Sequence, residues 1–414
     1  MTDWDFSPPP LSNMGDHDVP RDGVHLEGKR IALMITGGIA AMKTPLLARA
    51  LRRQGAEVVA FASEEALRYT TIDTLEWSTI NPVVTRLTAA AEHLSDSSPF
   101  DAYLVAPATY NTINKMRYGI ADGLITSALA SALGKLEQGN TEILVVPTMH
   151  GSMHNSILTE SLKKLDAIGV KIIPPREDYG KHNIPNERKI VVEVCRTVSR
   201  STLKGIPILV TGGPTPVPVD NVRRITNRFR GKLGVQMAEE LLLRGADVFV
   251  IHGDGAYRPP DYVPYTIIKS FDAYFETVMD LLSKKEYKIG VFSAAVADYT
   301  PKTVLPGKIP SGGALQSIEL VQTVKVIEKV RREFSSLFMV AFKYQENMSH
   351  NELIEIANDR LKAGYQVVVA NRGEETGPNG EQVAHLVAEN RAPEKMVGKQ
   401  NIAIAIADYL EQVV

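Results

Sequence analysis

The chain has 414 residues, which is more than one ordinary hydrophobic core accommodates, so we expect two domains. Hydrophobic residues make up 44% and charged residues 23% of the sequence, the balance of a globular protein, and the net charge of -2 offers no global argument for binding nucleic acid. The single cysteine, Cys195, excludes a disulfide framework and a cysteine-based metal site. The apolar runs are too short to span a membrane and the amino terminus lacks a signal-peptide pattern, so we expect a cytoplasmic protein.

The first half of the chain alternates strands with helices. Residues 1–28 are rich in Pro, Asp and Gly and predict a disordered tail. A strand over Arg30–Ile35, the turn TGGIA and the helix MKTPLLARALRRQG follow. Further strands are predicted in AEVVAFAS, at Tyr103–Ala106 and in TEILVVP, with a helix in EEALRYT, one long helix after the third strand, and a polar loop in REDYGKHNIPNERK.

The second half repeats this scheme after a linker at 199–205. Ile206–Val210 predicts a strand that ends in TGGP, and GVQMAEELLLRG begins the next helix. Strands in ADVFVIHGDG, KIGVFSAAVADYTP, LFMVAFK and YQVVVANR alternate with helices, and NIAIAIADYLEQVV is the last helix. Apolar strands that alternate with helices indicate parallel sheets covered on both faces. We therefore predict an α/β protein with two doubly wound, Rossmann-like, three-layer domains, 29–198 and 206–414.

The polar turns follow the carboxyl ends of strands, where open α/β sheets bind ligands. The TGG turns at 36–38 and 211–213 allow a phosphate to approach the backbone before a helix. The first turn lacks G-x-G-x-x-G spacing, so it indicates a mononucleotide phosphate more than a dinucleotide. The second turn precedes a basic cluster, which is either a solvated charge run or an anion site: Arg223, Arg224, Arg228, Arg230 and Lys232.

Four single residues are ambiguous from the pattern alone. His93 precedes a strand in a polar segment, where a lone histidine is more often structural than catalytic. His150 and His154 are four residues apart, but the intervening Gly151 and the lack of a nearby carboxylate argue against zinc, so no metal ligands are predicted. Lys308 lies in the flexible loop VLPGKIPSGG, where a lysine is either solvated or a mobile phosphate clamp.

Several long strings resemble two enzyme families. The segments TGGIAAMK, APATYNTINKMRYGIADGLITSALA and PTMHGSM, with the segment around His93, resemble the FMN-dependent cysteine decarboxylases. The segments VTGGPTPVPVDNVRRITN, FRGKLG, AAVADYTP, GKIPSGG and VVVAN resemble phosphopantothenate–cysteine ligase. In this order, over about residues 29 to 414, they resemble the bifunctional coenzyme A biosynthesis family, in which the decarboxylase is fused to the ligase. The resemblance implies a flavodoxin-like flavoprotein domain followed by a nucleotide-binding ligase domain.

For the first half, the resemblance implies FMN-dependent oxidation of the thiol of 4′-phospho-N-pantothenoylcysteine, which makes loss of CO₂ easy. His93 would be the acid/base, and His150 and Met153 would contact the substrate. The residues that would hold FMN by similarity are Gly37, Gly38, Ile39, Ser63 and Thr109.

For the second half, the resemblance implies that 4′-phosphopantothenate attacks CTP or ATP in the presence of Mg²⁺, and that cysteine captures the acyl-nucleotide. Asn227 would bind the acyl intermediate, Arg223 would lie near its phosphates, and Lys308 would stabilise the transferring phosphoryl group. The residues that would bind the nucleotide by similarity are Ala294, Asp298, Phe342 and Lys362.

The chain departs from the family pattern in four places. His150 replaces an asparagine found in many members, and the flap loop PPREDYGKHNIP lacks their cysteine, a combination similar to archaeal members. In the ligase half, Phe229-Arg230 replaces Ser-Ser and Thr323-Val324-Lys325 replaces Thr-Pro-Asp, which leaves the choice between CTP and ATP open.

Two alternatives to the bifunctional enzyme stay open: a paralogue that acts on a related phosphorylated acid, and a flavin-binding regulatory protein with an inactive decarboxylase half. An NAD-dependent dehydrogenase is disfavoured because the dinucleotide fingerprint is missing. The expected partners are 4′-phosphopantothenate, cysteine and a nucleoside triphosphate, with no nucleic acid and no membrane. Relatives assemble through both domains, so a homo-oligomer is also expected.

Overall fold

The computed structural model describes residues 6–8, 10–310, 312 and 317–414. Residues 1–5 and 9 of the predicted tail lie outside the described residues, as do Ser311 and Gly313 of the predicted Lys308 loop. The chain divides into two compact units, Met1–Val198 and Ser199–Val414. Within the described residues, no helix combines the length and the apolar composition that a transmembrane segment requires.

The first unit is built around a parallel sheet with strand order β2-β1-β3-β4-β6. The strands of the first unit are β1 (Arg30–Ile35), β2 (Glu57–Ala62), β3 (Ala102–Ala108), β4 (Glu142–Pro147), β5 (Met149–His150), β6 (Lys171–Ile172), β7 (Arg176–Asp178) and β8 (Lys181–Asn183). Strands β5, β8 and β7 form a separate small sheet. Its helices are α1 (Thr44–Arg53), α2 (Ile72–Thr79), α3 (Tyr110–Arg117), α4 (Leu124–Glu137), α5 (Ser156–Ala167) and α6 (Glu187–Val198). Among the five strands of the main sheet this is the order 2-1-3-4-5 of flavodoxin-like folds, whose switch point lies between the first and third strands.

Three local predictions for the first unit are wrong. The segment EEALRYT, predicted as a helix, holds only the short 3₁₀ helix Ala66–Arg68, and α2 begins after it because Thr71 supplies the N-cap. The predicted polar loop after β6 contains the antiparallel hairpin β7–β8, because Tyr179 and Gly180 both have positive φ, 53° and 67°, as a two-residue hairpin turn requires. The single long helix predicted after β3 is two helices, because the chain turns at Gly119, which has a φ of 67°, and α4 begins after Gly123.

Part of the segment predicted as a disordered tail packs against the first unit. The Leu26 side chain is fully buried, and its backbone N–H donates to the Gln54 carbonyl at 2.8 Å. The Arg52 guanidinium donates to the His17 carbonyl at 2.9 Å. Residues 17–28 therefore contribute to the core that covers α1, in contrast to the loose tail expected from composition.

The second unit contains an eight-stranded sheet, order β13-β12-β9-β14-β17-β18-β19-β20. Its strands are β9 (Pro207–Gly212), β10 (Val217–Pro218), β11 (Arg224–Ile225), β12 (Asp247–Gly253), β13 (Tyr265–Ile268), β14 (Ile289–Phe292), β15 (Tyr299–Pro301), β16 (Leu320–Gln322), β17 (Phe338–Gln345), β18 (Val367–Arg372), β19 (Val383–Ala388) and β20 (Glu394–Val397). Its helices are α7 (Lys232–Leu243), α8 (Phe271–Lys284), α9 (Val326–Glu333), α10 (His350–Lys362) and α11 (Lys399–Val413).

The first six strands of this sheet are parallel and follow the Rossmann order 3-2-1-4-5-6, with the switch point between β9 and β14. The predicted fold class, two α/β domains with parallel sheets, is confirmed. The structure adds an antiparallel edge, β19 and β20, that sequence analysis missed. The segment predicted as a linker packs within the second unit, where Leu203 is buried and Ser199 Oγ donates to the Arg244 carbonyl at 2.7 Å.

A partly buried ion-pair network joins this antiparallel edge to the end of β18. Glu375, just after β18, lies 3.0 Å from His385 on β19 and 2.8 Å from Lys395 on β20. The possible ligand atoms of His350, Glu375 and His385 lie within 4.8 Å of one another. Because the Lys395 ammonium group already holds Glu375, we interpret this cluster as an ion-pair network.

Glu375 should make the second unit sensitive to acid. Burial would raise the pKa of this carboxyl, but hydrogen bonds from Lys395 and His385 outweigh it and lower the pKa from 4.5 to about 2. The ionised form therefore adds stability above pH 4.5 that is lost as the pH falls towards 2. Glu375→Gln should lower the free energy of unfolding at pH 7 and flatten its decline in this range, measured by urea unfolding. The exposed control Glu333→Gln should behave like wild type, and an unchanged decline in Glu375→Gln would contradict the assignment.

Candidate functional site

A cavity of about 1080 Å³ opens at the carboxyl edge of the first sheet, beside the ends of β1 and β3. Its position is the switch point of this strand order. It brings together all the predicted FMN and substrate residues of this unit except His93: Gly37, Gly38, Ile39, Ser63, Thr109, His150 and Met153.

The floor of the cavity is a pair of interlocked turns. Thr36 Oγ1 donates to the Pro107 carbonyl at 2.7 Å and accepts from the Thr109 N–H at 3.2 Å, which fixes the end of β1 against the end of β3. A Cβ on Gly37 would lie 2.3 Å from Cβ of Glu65, so a side chain there would displace the turn. Gly38 precedes a short 3₁₀ helix, Ile39–Lys43, and within the described part of the chain no side chain caps its first N–H groups. Such a terminus suits a phosphate.

The hairpin β7–β8 forms one wall of the cavity. Strand β8 pairs with β5, which puts His182 opposite Met149 and Lys181 opposite His150. His182 Nε2 lies 2.7 Å from Nδ1 of His154, and His150 Nδ1 lies 2.9 Å from Ser152 Oγ. The hairpin residues that line the cavity were missed by sequence analysis: Arg176, Lys181, His182 and Asn183. The glycine at position 180 was the sequence feature that could have indicated a hairpin turn in this segment.

His93 lies away from the cavity of its own chain. The next residues contact the last turn of α4, where Lys135 pairs with Asp96 at 3.0 Å and donates to the Leu94 carbonyl. The cavity is lined by the first turn of the same helix, including Ile125. Ten residues of helix separate Lys135 from Ile125, about 15 Å along the axis. His93 Nδ1 is buried and has no hydrogen-bond partner among the residues that the structure describes.

The residues of the cavity fit FMN. The volume lies slightly above the usual range for small-molecule sites and leaves space for a substrate beside a flavin. The glycine turn and the Ser63 and Thr109 hydroxyls supply donors for a phosphate, and flavodoxin-like folds bind FMN at this switch point. Apolar side chains for an aromatic ring system come from Ile39, Met42, Leu124, Ile125 and Met149.

Gly37→Ala should weaken FMN binding. The added Cβ must push against Glu65 and displace the turn, and such overpacking costs about 1–3 kcal/mol; where this cost falls on the FMN-bound turn, the affinity falls by about 5- to 150-fold. Titration of the apoprotein with FMN, followed by flavin fluorescence, measures this directly. Gly134→Ala in helix α4 is the matched control, since a Cβ there meets no atom within 4 Å. Equal FMN affinity in the two variants would contradict a close approach at Gly37.

In the second unit, the predicted acyl-intermediate residue lies at the other switch point. Asn227 Nδ2 donates to the Ala295 carbonyl at 2.8 Å, and the Ala295 N–H donates to the Gly213 carbonyl at 2.9 Å. The Ala294 N–H donates to Thr211 Oγ1 at 3.3 Å. Gly213 has a φ of 75°, which glycine tolerates and which turns the chain out of β9. These bonds join the ends of β9 and β14.

The basic loop and the Lys308 loop are hydrogen-bonded to each other. The Asn221 N–H donates to the Gly307 carbonyl at 3.0 Å, and Arg223 Nη1 donates to the Ile309 carbonyl at 3.1 Å. Both residues adjacent to Lys308 are therefore held, while its own side chain is exposed. The loop predicted to be flexible is therefore fixed by hydrogen bonds on both sides of Lys308. Arg223 and Lys308 belong to two loops that contact each other.

The predicted nucleotide residues divide into two groups. Half-buried Phe342 on β17 and Asp298 lie at the carboxyl edge, where Asp298 pairs with Lys325. Phe229 packs edge-on against Tyr344, with ring centroids 5.5 Å apart, and so joins the basic loop to the end of β17.

Lys362 lies outside this group. It occupies the last turn of α10, where it pairs with Asp359 at 2.8 Å. Helix α10 starts at His350 near the carboxyl edge and runs back for twelve residues, about 18 Å. Within one chain, Lys362 therefore lies apart from the other predicted nucleotide residues.

Comparisons with known proteins agree with this arrangement. The family model of the DNA/pantothenate metabolism flavoprotein C-terminal domain matches residues 203–413, and the Flavoprotein family model matches residues 21–199. The chain is 35% identical to the coenzyme A biosynthesis bifunctional protein CoaBC of Thermococcus kodakarensis over 394 residues, 94% of this chain and 96% of the relative.

Two further relatives carry the same name. The protein of Methanocaldococcus jannaschii is 33% identical over 349 residues, 84% of each chain, and that of Escherichia coli is 32% identical over 320 residues, 73% of this chain and 75% of the relative. Both predicted activities are confirmed by these matches. The chain belongs to the family of bifunctional CoaBC flavoproteins, which ligate phosphopantothenate with cysteine and decarboxylate the product to phosphopantetheine in coenzyme A biosynthesis.

Proposed function

We propose that the second unit joins 4′-phosphopantothenate to cysteine at the β9/β14 switch point, and that the first unit decarboxylates the product at the β1/β3 switch point. The observation that carries this proposal is that the matched motif residues meet at each switch point although they are far apart in sequence. The two activities then use successive forms of one substrate.

In the first unit, the glycine turn, Ser63 and Thr109 would hold the phosphate of FMN. When bound, FMN supplies the oxidation of the substrate thiol. His150 lies on the cavity wall next to Met153, where an imidazole can donate a hydrogen bond to the substrate carboxylate. Lys181 and Arg176 add positive charge to the same wall, which suits an anionic substrate. The hairpin has these cationic side chains and lacks the cysteine that many family members carry in the corresponding flap.

His93 would reach a cavity only in an oligomer. The residues after His93 contact Lys135 at the end of α4 that lies about 15 Å along the axis from Ile125 in the cavity, so we propose that the acid/base is supplied to the cavity of a neighbouring copy. Exposed apolar side chains near the cavity support such an assembly, since Ile39, Met42 and Leu46 are 68%, 60% and 61% exposed. We therefore propose a homo-oligomer in which His93 of one copy completes the site of the next.

In the second unit, Asn227 would hold the acyl group, and Arg223 and Lys308 would face the phosphates. Phosphoryl and nucleotidyl transfer depend chiefly on positioning and on neutralisation of developing charge, which two cationic groups on adjoining loops supply. Mg²⁺ is commonly bound through one or two carboxylates and the substrate phosphates. Asp298 is an exposed carboxylate at this edge, and we propose that Mg²⁺ arrives there with CTP or ATP.

The test is product analysis by mass spectrometry. The FMN-loaded protein is incubated with phosphopantothenate, cysteine, Mg²⁺ and either CTP or ATP. We expect 4′-phosphopantetheine with release of pyrophosphate and CO₂. Accumulation of phosphopantothenoylcysteine would overturn the proposal for the first unit. Absence of pyrophosphate with both nucleotides would overturn it for the second unit, and pyrophosphate release with only a different phosphorylated acid would identify a paralogue.

A further inference from the structure

Asp220 is a buried carboxylate at the junction of the two ligase loops. Its side chain has 0% exposure, whereas that of Arg223 is 44% exposed. Its oxygens accept four hydrogen bonds, from the N–H groups of Val222 at 2.7 Å, Arg223 at 2.5 Å and Ile309 at 2.9 Å, and from Arg223 Nη1 at 2.7 Å. One carboxylate therefore binds the Arg223 loop and the residue that follows Lys308.

Two backbone hydrogen bonds lie beside this contact. The Leu305 N–H donates to the Val219 carbonyl at 3.1 Å, and the Asn221 N–H donates to the Gly307 carbonyl at 3.0 Å. Both bonds join the two loops, so they act together with the contact between Asp220 and Ile309 in holding the loops side by side. Asp220 supplies the charge-assisted bonds in this set, which are stronger than those between neutral groups.

The negative charge of Asp220 offsets the repulsion between the two cationic loops. Arg223 and Lys308 are both cationic, and loops that carry like charges repel each other unless an anion lies between them. The hydrogen bonds, led by that from Ile309 N–H, hold the pKa of the Asp220 carboxyl well below its usual range, so the anion persists at neutral pH. Burial of a carboxylate costs little free energy when its oxygens accept hydrogen bonds, whereas burial of an unpaired carboxylate is strongly destabilising.

We propose that Asp220 is a positioning residue of the ligase, which docks the Lys308 loop beside Arg223 before the nucleotide binds. This proposal rests on the role of Lys308 proposed above. Groups that are already placed where charge develops cost no reorganisation during the reaction, so the docked loop raises the turnover number more than the affinity for substrate.

Asp220→Asn tests the charge with little change in volume. The amide has one oxygen, and its NH₂ group must face a backbone N–H, so the contact to Ile309 or to Arg223 is lost. Misplacement of a reacting group by about 1 Å costs about 10²-fold in rate, and we expect a fall of this size in kcat for pyrophosphate release, with the KM for phosphopantothenate changed less than about threefold. In a Lys308→Ala background, Asp220→Asn should cost less than about threefold more.

Hydrogen–deuterium exchange of the full chain provides a readout that does not need activity. The amide of Ile309 should exchange at least about tenfold faster in Asp220→Asn than in wild type, because its acceptor is weakened. Asp280→Asn removes an exposed ion pair with Lys284 on α8 and is the matched control, with wild-type exchange and kcat. If wild type itself releases no pyrophosphate, the proposed function fails, but the exchange result still decides whether the tether exists.

Ile309→Pro provides a second variant that leaves Asp220 in place. Proline removes the N–H donor to Asp220, and so the fall in kcat should match that of Asp220→Asn. This variant decides the question if Asp220→Asn fails to fold. Full kcat in either folded variant would overturn the proposal. So would equal losses from Asp220→Asn in the presence and absence of Lys308, since Asp220 would then act independently of that lysine.

Discussion

Replacement of Lys308 by alanine is expected to lower kcat for pyrophosphate release by about 10³-fold, because a preorganised cation at a transferring phosphoryl group contributes on this scale. The affinity for phosphopantothenate should change little, since the side chain is exposed and its charge acts on the reacting phosphate. Stopped-flow detection of pyrophosphate with CTP and with ATP measures the effect, and decarboxylation of added phosphopantothenoylcysteine should be unchanged.

Lys302 offers a matched control for this prediction. It lies six residues earlier on the same connection and pairs with Glu319 at 2.8 Å at the surface. Lys302→Ala removes the same charge without touching the loop contacts of Arg223, so its kcat should equal that of wild type. A similar loss in both variants would mean that the net positive charge of the connection, and not Lys308, assists the reaction.

His93→Ala is expected to stop decarboxylation while ligation continues. Loss of a general acid or base costs about 10²- to 10⁴-fold, so phosphopantothenoylcysteine should accumulate in place of 4′-phosphopantetheine. FMN binding should be retained, because His93 does not line the cavity of its chain. Mass spectrometry of the products and the flavin absorbance of the purified variant check both statements. A wild-type rate of decarboxylation in His93→Ala would show that this histidine is not the acid/base.

The structure also allows a test of which copy supplies His93. Chains with His93→Ala retain an intact cavity, and chains with His150→Ala retain His93 but have an altered substrate wall. Each variant alone should be inactive in decarboxylation. Oligomers reassembled from a mixture of the two should recover part of the activity, because some cavities then have His150 and a neighbour's His93. No recovery in verified mixed oligomers would show that His93 does not act between copies.

The class of the fold could be predicted because the signals are local. Apolar strands that end in glycine turns, as at Gly37 and Gly213, identify parallel strands and the edge that binds ligands whatever the rest of the chain does. The antiparallel strand β19 was missed because it lies between β18 and β20 and is buried along its whole length, so it has no alternating pattern to mark it as a strand.

The chemistry of the two halves was determined by the sequence alone: motif strings identified both activities, and similarity selected residues that the structure brings together, such as Asn227, which bonds to the residue after Ala294, and Thr109 with Gly38. Only the tertiary structure decided their spatial relations. It separated His93 from its cavity and Lys362 from the nucleotide edge, because a helix carries its two ends to opposite edges of a sheet. It also placed Asp220 between two loops almost ninety residues apart, a contact that depends on long-range packing and leaves no periodic trace in the sequence.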